Sequence, residues 1–594
     1  MRLGEAGAAP VGVRSSKPGR SAAIWQRQEG GLLIALVFVL VTVLAVLPLG
    51  QLVATAVAPR GSLDLSEFGT LAGDEVWRAT RNTIVVGLGS AALALAVGLL
   101  VALLLAVSDM PGKLALAFMF VLSLMIAPQV VALAFKTLAG PASPLLKSAG
   151  LAPAPGTPNP MLGPWGIVLV MGLHHAPLAA VILAPGLAAI PRALIESAAV
   201  DGARPLQIVR RILLPLLRPY LLGAGLLAVV AGFGNFGIPT LLGQPVGFLT
   251  LPTLVYQKIA SFGPAVLTQA AVLSLWIAAL SGTGVLAASI ALPAAAARLD
   301  AEVAMVPFWR LGRWRWPVAT MAWMFIGVSV ILPLVSLVAT ALVPAYGVRL
   351  TIETFTLGRF YEVLVRQDLT LRAFRNSLLL AGAAAVLLAM LATLCAYVLE
   401  RRLYRLKVAI LAVAEMPYAV PGLVLSVGCI LLLVKPVPLI GVSLYATPWI
   451  ILFAYLARFF AIALKPTTAA MATLALDQEE AAAVFGASFR QRLRYIVMPH
   501  LAAPAVAGGL LVFLLAFNEL TVSALLWTAG TETLGVALLN LEDAGLGAEA
   551  AAVGVTATAI VAAVMLGLDR LSGRLPADVL AWRALARGGA DAAR

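Results

Sequence analysis

The chain has 594 residues, 61% of them hydrophobic and only 11% charged, with a mean hydropathy of +1.00. Ordinary soluble domains are about 45–50% apolar and about 25% charged, so this chain lacks the polar surface a globule needs in water, which excludes a soluble enzyme. The formal charge of +14 would suggest nucleic acid in a soluble protein, but in lipid the location of the charge decides its meaning.

A bilayer-spanning helix needs about 20 mostly apolar residues. Stretches free of Asp, Glu, Lys and Arg and longer than about 18 residues run over 31–59, 82–108, 114–135, 148–191, 219–257 and 259–297, and then over 316–348, 376–399, 416–434, 436–457, 495–518 and 550–568. Twelve spans in an all-α membrane protein are therefore expected, since barrel strands would read as short alternating segments. Residues 1–30 form a Gly-, Ala- and Arg-rich tail. The run 31–59 is too long for a signal-peptide core and lacks a small-residue cleavage site at its start, so it reads as a retained span. Within 148–191 the Pro-rich piece Leu151 to Pro164 is a loop, and the helix is expected from Trp165 to about Pro185.

Lys and Arg are retained on the cytoplasmic side of a membrane. With the N-terminus inside, alternate segments collect 29 of the 41 basic residues, including those of 187–218, 298–315, 401–407, 458–494 and 570–594. The charge is then topological, both termini are expected in the cytoplasm, and no nucleic-acid partner is expected. Cys395 and Cys429 fall inside apolar runs and read as small core residues.

The chain repeats itself. Glu196 to Pro215 aligns without gaps on Glu480 to Pro499, and ten of twenty positions are identical. The register continues from Gly225 and Phe233 to Gly509 and Phe517, and Asn82-Thr-Ile resembles Asn376-Ser-Leu upstream. The organisation follows as a tail over 1–30, a first repeat over 31–297, a linker over 298–316, a second repeat over 317–570 and a tail over 571–594. Glu-Ala-Ala favours helix, whereas a Gly inside a helix costs about 1 kcal/mol, so Gly202 and Gly486 are expected to turn the chain between two short helices. Pro215 and Pro499 are expected to begin the next spans.

Both copies carry E-A/S-A-(three)-G-(nine)-I-(two)-P on a loop assigned to the cytoplasm. This pattern resembles the EAA loop of permease subunits of binding-protein-dependent ABC importers. Roughly residues 30–570 resemble the fused double permeases of the iron(III), thiamine, phosphonate and spermidine/putrescine group. The resemblance implies a type I importer permease fold with two parallel six-helix repeats in a bacterial inner membrane. It implies that Glu196, Ala198, Gly202, Ala203 and Pro215, with Glu480, Ala482, Gly486, Ala487 and Pro499, form two coupling knobs for a separate ATPase, present in two copies, which binds ATP and Mg. It also implies an external substrate-binding protein; membrane lipid is the other partner. Pro417-Tyr-Ala-Val-Pro421-Gly422 and Glu519-Leu520 look most like the iron(III) group, so iron(III) is the expected cargo, with thiamine, aminoethylphosphonate or spermidine/putrescine as alternatives. The first copy has Ser197 for the usual Ala, and Asp201 stands where the second has Phe485, so the two sockets are unequal.

No phosphate cradle accompanies this: Gly112-Lys113 lacks the upstream Gly and the following Ser or Thr. No cofactor, metal ligand set or catalytic group is expected in the chain, and none of His174, His175 and His500 has a carboxylate at helical spacing. Intramembrane polar groups are functional candidates by default, which singles out Glu519 and its repeat partner Asn235 for the translocation path. Glu415 and Lys435 are placed near the ends of the ninth span, where they are expected to snorkel or to mark a helix break. Arg574, Trp582, Arg583 and Arg587 suggest a surface helix drawn to anionic lipid. The competing reading is an ion-coupled secondary transporter, which needs midplane coupling residues where only Glu519 is offered. A membrane enzyme would need clustered acids or histidines, which are not seen.

Overall fold

The computed structural model describes residues 20–59, 61–261, 265–291, 309–436, 441–571 and 581–586. Most of both tails, part of the linker, and with them Arg574 and Arg587, lie outside the described residues. Among the described residues, nine helices are long and apolar enough to cross a membrane, or thirteen if each of four bent pairs is one span.

The first repeat runs α1 (Gly31–Val57), α2 (Asp74–Val107), α3 (Lys113–Met125), α4 (Pro128–Ala139), α5 (Pro164–Ala188), α6 (Arg192–Val200), α7 (Pro205–Leu216), α8 (Arg218–Gly234), α9 (Gly237–Leu242), α10 (Leu251–Ile259) and α11 (Val266–Ala291). The second runs α12 (Gly312–Ala341), α13 (Asp368–Arg401), α14 (Lys407–Ala419), α15 (Gly422–Leu433), α16 (Pro448–Thr473), α17 (Leu476–Val484), α18 (Phe489–Phe517), α19 (Ser523–Leu526), α20 (Leu534–Asp543) and α21 (Gly547–Leu571), with α22 (Ala581–Ala586) beyond it. The series match element for element, except that α18 is continuous where α7 and α8 bend by 70°. A second proline, Pro219, opens α8, while its counterpart in α18 is Ala503. Pro215 therefore ends α7 rather than beginning the next span, whereas Pro499 stands in the first turn of Met498–Phe517, the α-helical stretch of α18. Pro215 and Pro499 each follow one turn of π-helix, Val209–Leu213 and Leu493–Val497, which accommodates a ring that can neither donate a hydrogen bond nor clear the preceding carbonyl.

Both α3/α4 and α14/α15 bend by 101°. The residue before a proline is pushed out of the α region, and Ala127 before Pro128 and Val420 before Pro421 are both extended, with ψ of 134° and 140°. The expected span 114–135 is thus broken in mid-course, and the expected span 416–434 is broken near its start because α14 already begins at Lys407.

Small residues set the packing. Gly89 meets Val168 and Gly98 meets Ala179, so α2 and α5 run parallel; a Cβ on Gly98 would stand 2.6 Å from the Ala176 carbonyl. Gly232 of α8 packs on Gly87. In the second repeat Gly508 packs on Ala463 and Gly509 on Ala385. At one end of the bundle Asn82 Nδ2 donates to the Leu249 carbonyl at 2.9 Å while Thr83 Oγ1 accepts from Leu251 N; Asn376 donates to Glu532 O at 3.0 Å while Ser377 accepts from Leu534 N. That paired clamp is what the two Asn-Ser/Thr strings encode.

The opposite end is fixed by Trp309 N donating to Val107 O and Leu311 N to Asp109, which ties the entry of α12 to the end of α2. Since α12 crosses the bundle and α13 returns, the final turns of α2, α5, α13 and α16 share that end. Both EAA-like segments follow from it.

The tenth span differs from the expected 436–457, because a charge-free criterion stops at Arg458, whereas α16 runs through Arg458 and Lys465 to Thr473. The described part of the C-terminal tail also differs from a lipid-surface helix. Trp582 stacks edge-on against Phe118 of the first repeat at 5.5 Å, and Trp582 Nε1 and Arg583 Nε both donate to Asp569, so α22 is a strap between repeats.

Candidate functional site

Each EAA-like segment is a helix, a left-handed glycine and a second helix. In the first, Gly202 N donates to Ala199 O and Ala203 N to Ala198 O; in the second, Gly486 N donates to Ala483 O and Ala487 N to Ala482 O, at 2.9–3.1 Å throughout. This double bond pair is the Schellman stop, which requires a left-handed residue just past the cap. Gly202 and Gly486 supply it with φ of +81° and +85°. The Ala-(three)-Gly-Ala spacing of both copies is thereby explained by backbone chemistry. The next helix is started by a residue outside the expected set: Gln207 Oε1 accepts from Arg204 N, and Gln491 Oε1 from Ser488 N, both at 2.8 Å. Identity at that position in both copies was the available signal.

The turns lift an apolar crest into solvent. Val200 is 87% exposed, Val484 83% and Phe485 90%, and Leu206 is exposed beside the first turn. Glu196 and Glu480 lie on the exposed surface of α6 and α17. Its neighbour Glu479 is buried instead, and accepts from Arg401 Nε at 2.8 Å; the first repeat has buried Ile195 at that position. Tyr397 of α13 also packs against Phe489. His500 joins α18 to the end of α16 through its Nε2, 2.9 Å from Ala470 O.

Asn235 and Glu519 occupy the breaks after α8 and α18 and make the same local bond. Asn235 Oδ1 accepts from Ile238 N and Glu519 Oε1 from Val522 N, each at 3.1 Å, capping the following short helix. Only Glu519 adds charge, and its partner is Arg458, with Nε 3.4 Å from Oε2. A span defined by lack of charge ends before Arg458, whereas Arg458 stands near the centre of α16. Glu415 lies inside α14, four residues before it ends at the break, and pairs with Lys465 of α16 at 3.1 Å. The two breaks meet the bent pairs of the opposite repeat: Asn518 Nδ2 donates to Met125 O at 2.8 Å, and Gly234 packs on Pro421.

His174 and His175 are buried in α5, with ring centroids 5.4 Å apart and no hydrogen-bond partner at either Nδ1. Among the described residues no group of three His, Cys, Asp or Glu side chains is placed to hold a metal. Cys395 and Cys429 are both buried and unpaired.

Comparison with known proteins follows the same twofold division. The family described as "Binding-protein-dependent transport system inner membrane component" matches residues 94–292 and again 389–579. A Sinorhizobium fredii protein named as an ABC transporter permease, y4fN, is 25% identical over 516 residues, covering 84% of this chain and 87% of its own. A Salmonella paratyphi A protein named as a 2-aminoethylphosphonate transport system permease is 31% identical over 160 residues, 27% of this chain. The match spans 59% of that relative's length. The Escherichia coli spermidine/putrescine transport system permease PotC is 26% identical over 217 residues, 36% of this chain and 79% of its own.

Proposed function

Since the chain belongs to the family of binding-protein-dependent transport system inner membrane components, carrying its domain twice, we propose that it is the permease subunit of an ATP-driven importer in a bacterial inner membrane. The two Schellman-locked knobs at one end of the bundle are the observation that supports this most. They face the cytoplasm and seat in a pair of ATPase subunits, which hold the ATP and Mg; this chain performs no chemistry of its own. An external binding protein presents cargo at the far end. ATP-driven closure of the ATPase pair draws the knobs together, and the bundle turns from outward to inward opening about the breaks at 126–127 and 420–421.

The cargo expectation moves with the relatives. The relatives described above are named for 2-aminoethylphosphonate and spermidine/putrescine systems and not for iron(III), which supports a small organic ion as the proposed cargo in preference to iron(III). The test is purification of the full chain in mild detergent from the cells in which it is native. Recovery of a nucleotide-binding subunit with the wild type, and its loss when Gly202 and Gly486 are both replaced by Val, is expected. Transport that survives that loss overturns the proposal.

A further inference from the structure

Arg458 stands ten residues from the start of α16 and fifteen from its end, hence about 15 and 22 Å along the axis, in the middle of a span. A charge at that depth is expensive and turns toward protein or a water-filled cleft rather than lipid. Arg458 and Glu519 form the ion pair, Arg458 Nη1 donates to the Val420 carbonyl at 3.2 Å, and its guanidinium carbon lies 6.0 Å from the Tyr418 ring centroid. The Val420 carbonyl is available because the helix breaks there. Glu519 is also bonded by Thr521 Oγ1. Arg458 Nε, buried, makes the ionic contact without a hydrogen bond, so part of its donor capacity is unspent. A Cβ on Gly422 would stand 2.1 Å from Thr521 Oγ1 and 3.2 Å from Arg458 Cζ, so glycine is what admits the pair to the break.

A second pair continues the first. Lys465 lies seven residues beyond Arg458 on the same face of α16, and Glu415 one turn before Tyr418 on α14. They meet at 3.1 Å, with side chains 60% and 42% exposed, and Tyr418 between them is exposed too. Charges inside spans turn to a partner or to water rather than lipid, and this second pair lies between mid-membrane and the knob end. The first repeat holds His174, Val181, Val121 and Asn235 at the matching positions, so the two ion pairs belong to the second repeat alone.

We propose that Arg458–Glu519 and Lys465–Glu415 form a one-sided rail that passes a small zwitterion of the aminophosphonate class, its anionic end taken by the cation of each pair and its cationic end by the carboxylate. A bare anion could occupy Arg458 only by leaving Glu519 unpaired in a low-dielectric site, and a bare cation would strand Arg458. A zwitterion replaces both halves of the pair at once, and the pair closes again when it moves on. This rests on the permease reading.

The test uses the full chain assembled with its ATPase and binding protein in proteoliposomes. The probes are labelled 2-aminoethylphosphonate, which bears both charges, and ethylphosphonate, which bears one. Wild type is expected to import the first at least tenfold faster than the second. Arg458→Gln with Glu519→Gln, which leaves no orphan charge, is expected to cut 2-aminoethylphosphonate import at least tenfold with the ATPase still retained. Lys465→Gln with Glu415→Gln, at exposed side chains that folding tolerates, is expected to cut it severalfold. Import at the wild-type rate in both double variants overturns the rail. Equal import of the two probes, or import of neither by an assembled wild type, overturns the cargo class. Failure of the wild type to retain the ATPase overturns the permease reading instead.

Discussion

Arg401 Nε donates to Glu479 Oε1 at 2.8 Å and its Nη2 to the Leu474 carbonyl at 2.8 Å, which fastens the second knob to the last turn of α13. In the first repeat the matching residues are Val107 and Ile195, both buried in the same apolar core. One lever is pinned by charge and the other by packing.

Glu479→Ala leaves the guanidinium without its carboxylate in a nearly closed site, at a cost of about 3 kcal/mol. Amide exchange over 476–492 should then quicken by up to roughly a hundredfold. Residues 192–208 should be unaffected. The pair of changes Arg401→Val and Glu479→Ile copies the first repeat and should recover most of the loss. If the double variant is worse than Glu479→Ala, the correspondence between the two attachments is wrong.

The turn glycines separate strain from crowding. Nothing lies within 4 Å of a Cβ added at Gly202 or Gly486, so Gly→Ala there costs only left-handed strain, about 1–2 kcal/mol per site. Gly98→Ala would instead drive a Cβ against the backbone of α5. Thermal unfolding of the detergent-solubilised chain should therefore fall much further for Gly98→Ala than for either turn variant. Retention of the ATPase should be sensitive to the turns. A melt that falls equally in all three would show that the turns belong to the packed core.

Asn82 and Asn376 belong to separate repeats and share no partner, so their clamps should act independently. Each Asn→Ala removes bonds to loop carbonyls and should cost about 1 kcal/mol. The double variant should be additive within about 0.5 kcal/mol. Coupling well beyond that in a denaturation series would mean that the two loops communicate through the contacts between the repeats.

Much of the fold was legible because duplication left two copies of each local solution to compare. The Ala-(three)-Gly-Ala spacing, the Asn-Ser/Thr strings and the helix in 148–191 all have direct structural counterparts, the last running Pro164–Ala188. What was not legible has a single physical source. Counting uncharged residues treats a charge as the edge of the membrane, which hides a charge neutralised by a partner on another helix. Arg458 and Glu415 were displaced for that reason, and no local pattern could reveal partners 61 and 50 residues away, at Glu519 and Lys465. The 101° bends fell inside apolar runs for a related reason: hydropathy does not register backbone direction, and only the prolines at 128 and 421 carried the message.

The unequal crests yield the last prediction. Phe485 is almost fully exposed at the tip of the second knob, while Asp201 holds the equivalent place in the first. Full burial of a Phe side chain stabilises a contact by about 1.5–3 kcal/mol, whereas burying an unpaired carboxylate opposes it. If both knobs enter sockets of the same ATPase, the second should hold more tightly. Phe485→Asp should then weaken ATPase retention in detergent by at least tenfold, and Asp201→Phe should strengthen it in an apolar socket. Retention unchanged by Phe485→Asp would mean that the Phe lies at the rim of the contact, and the grip would have to come from Val200 and Val484, which both knobs share.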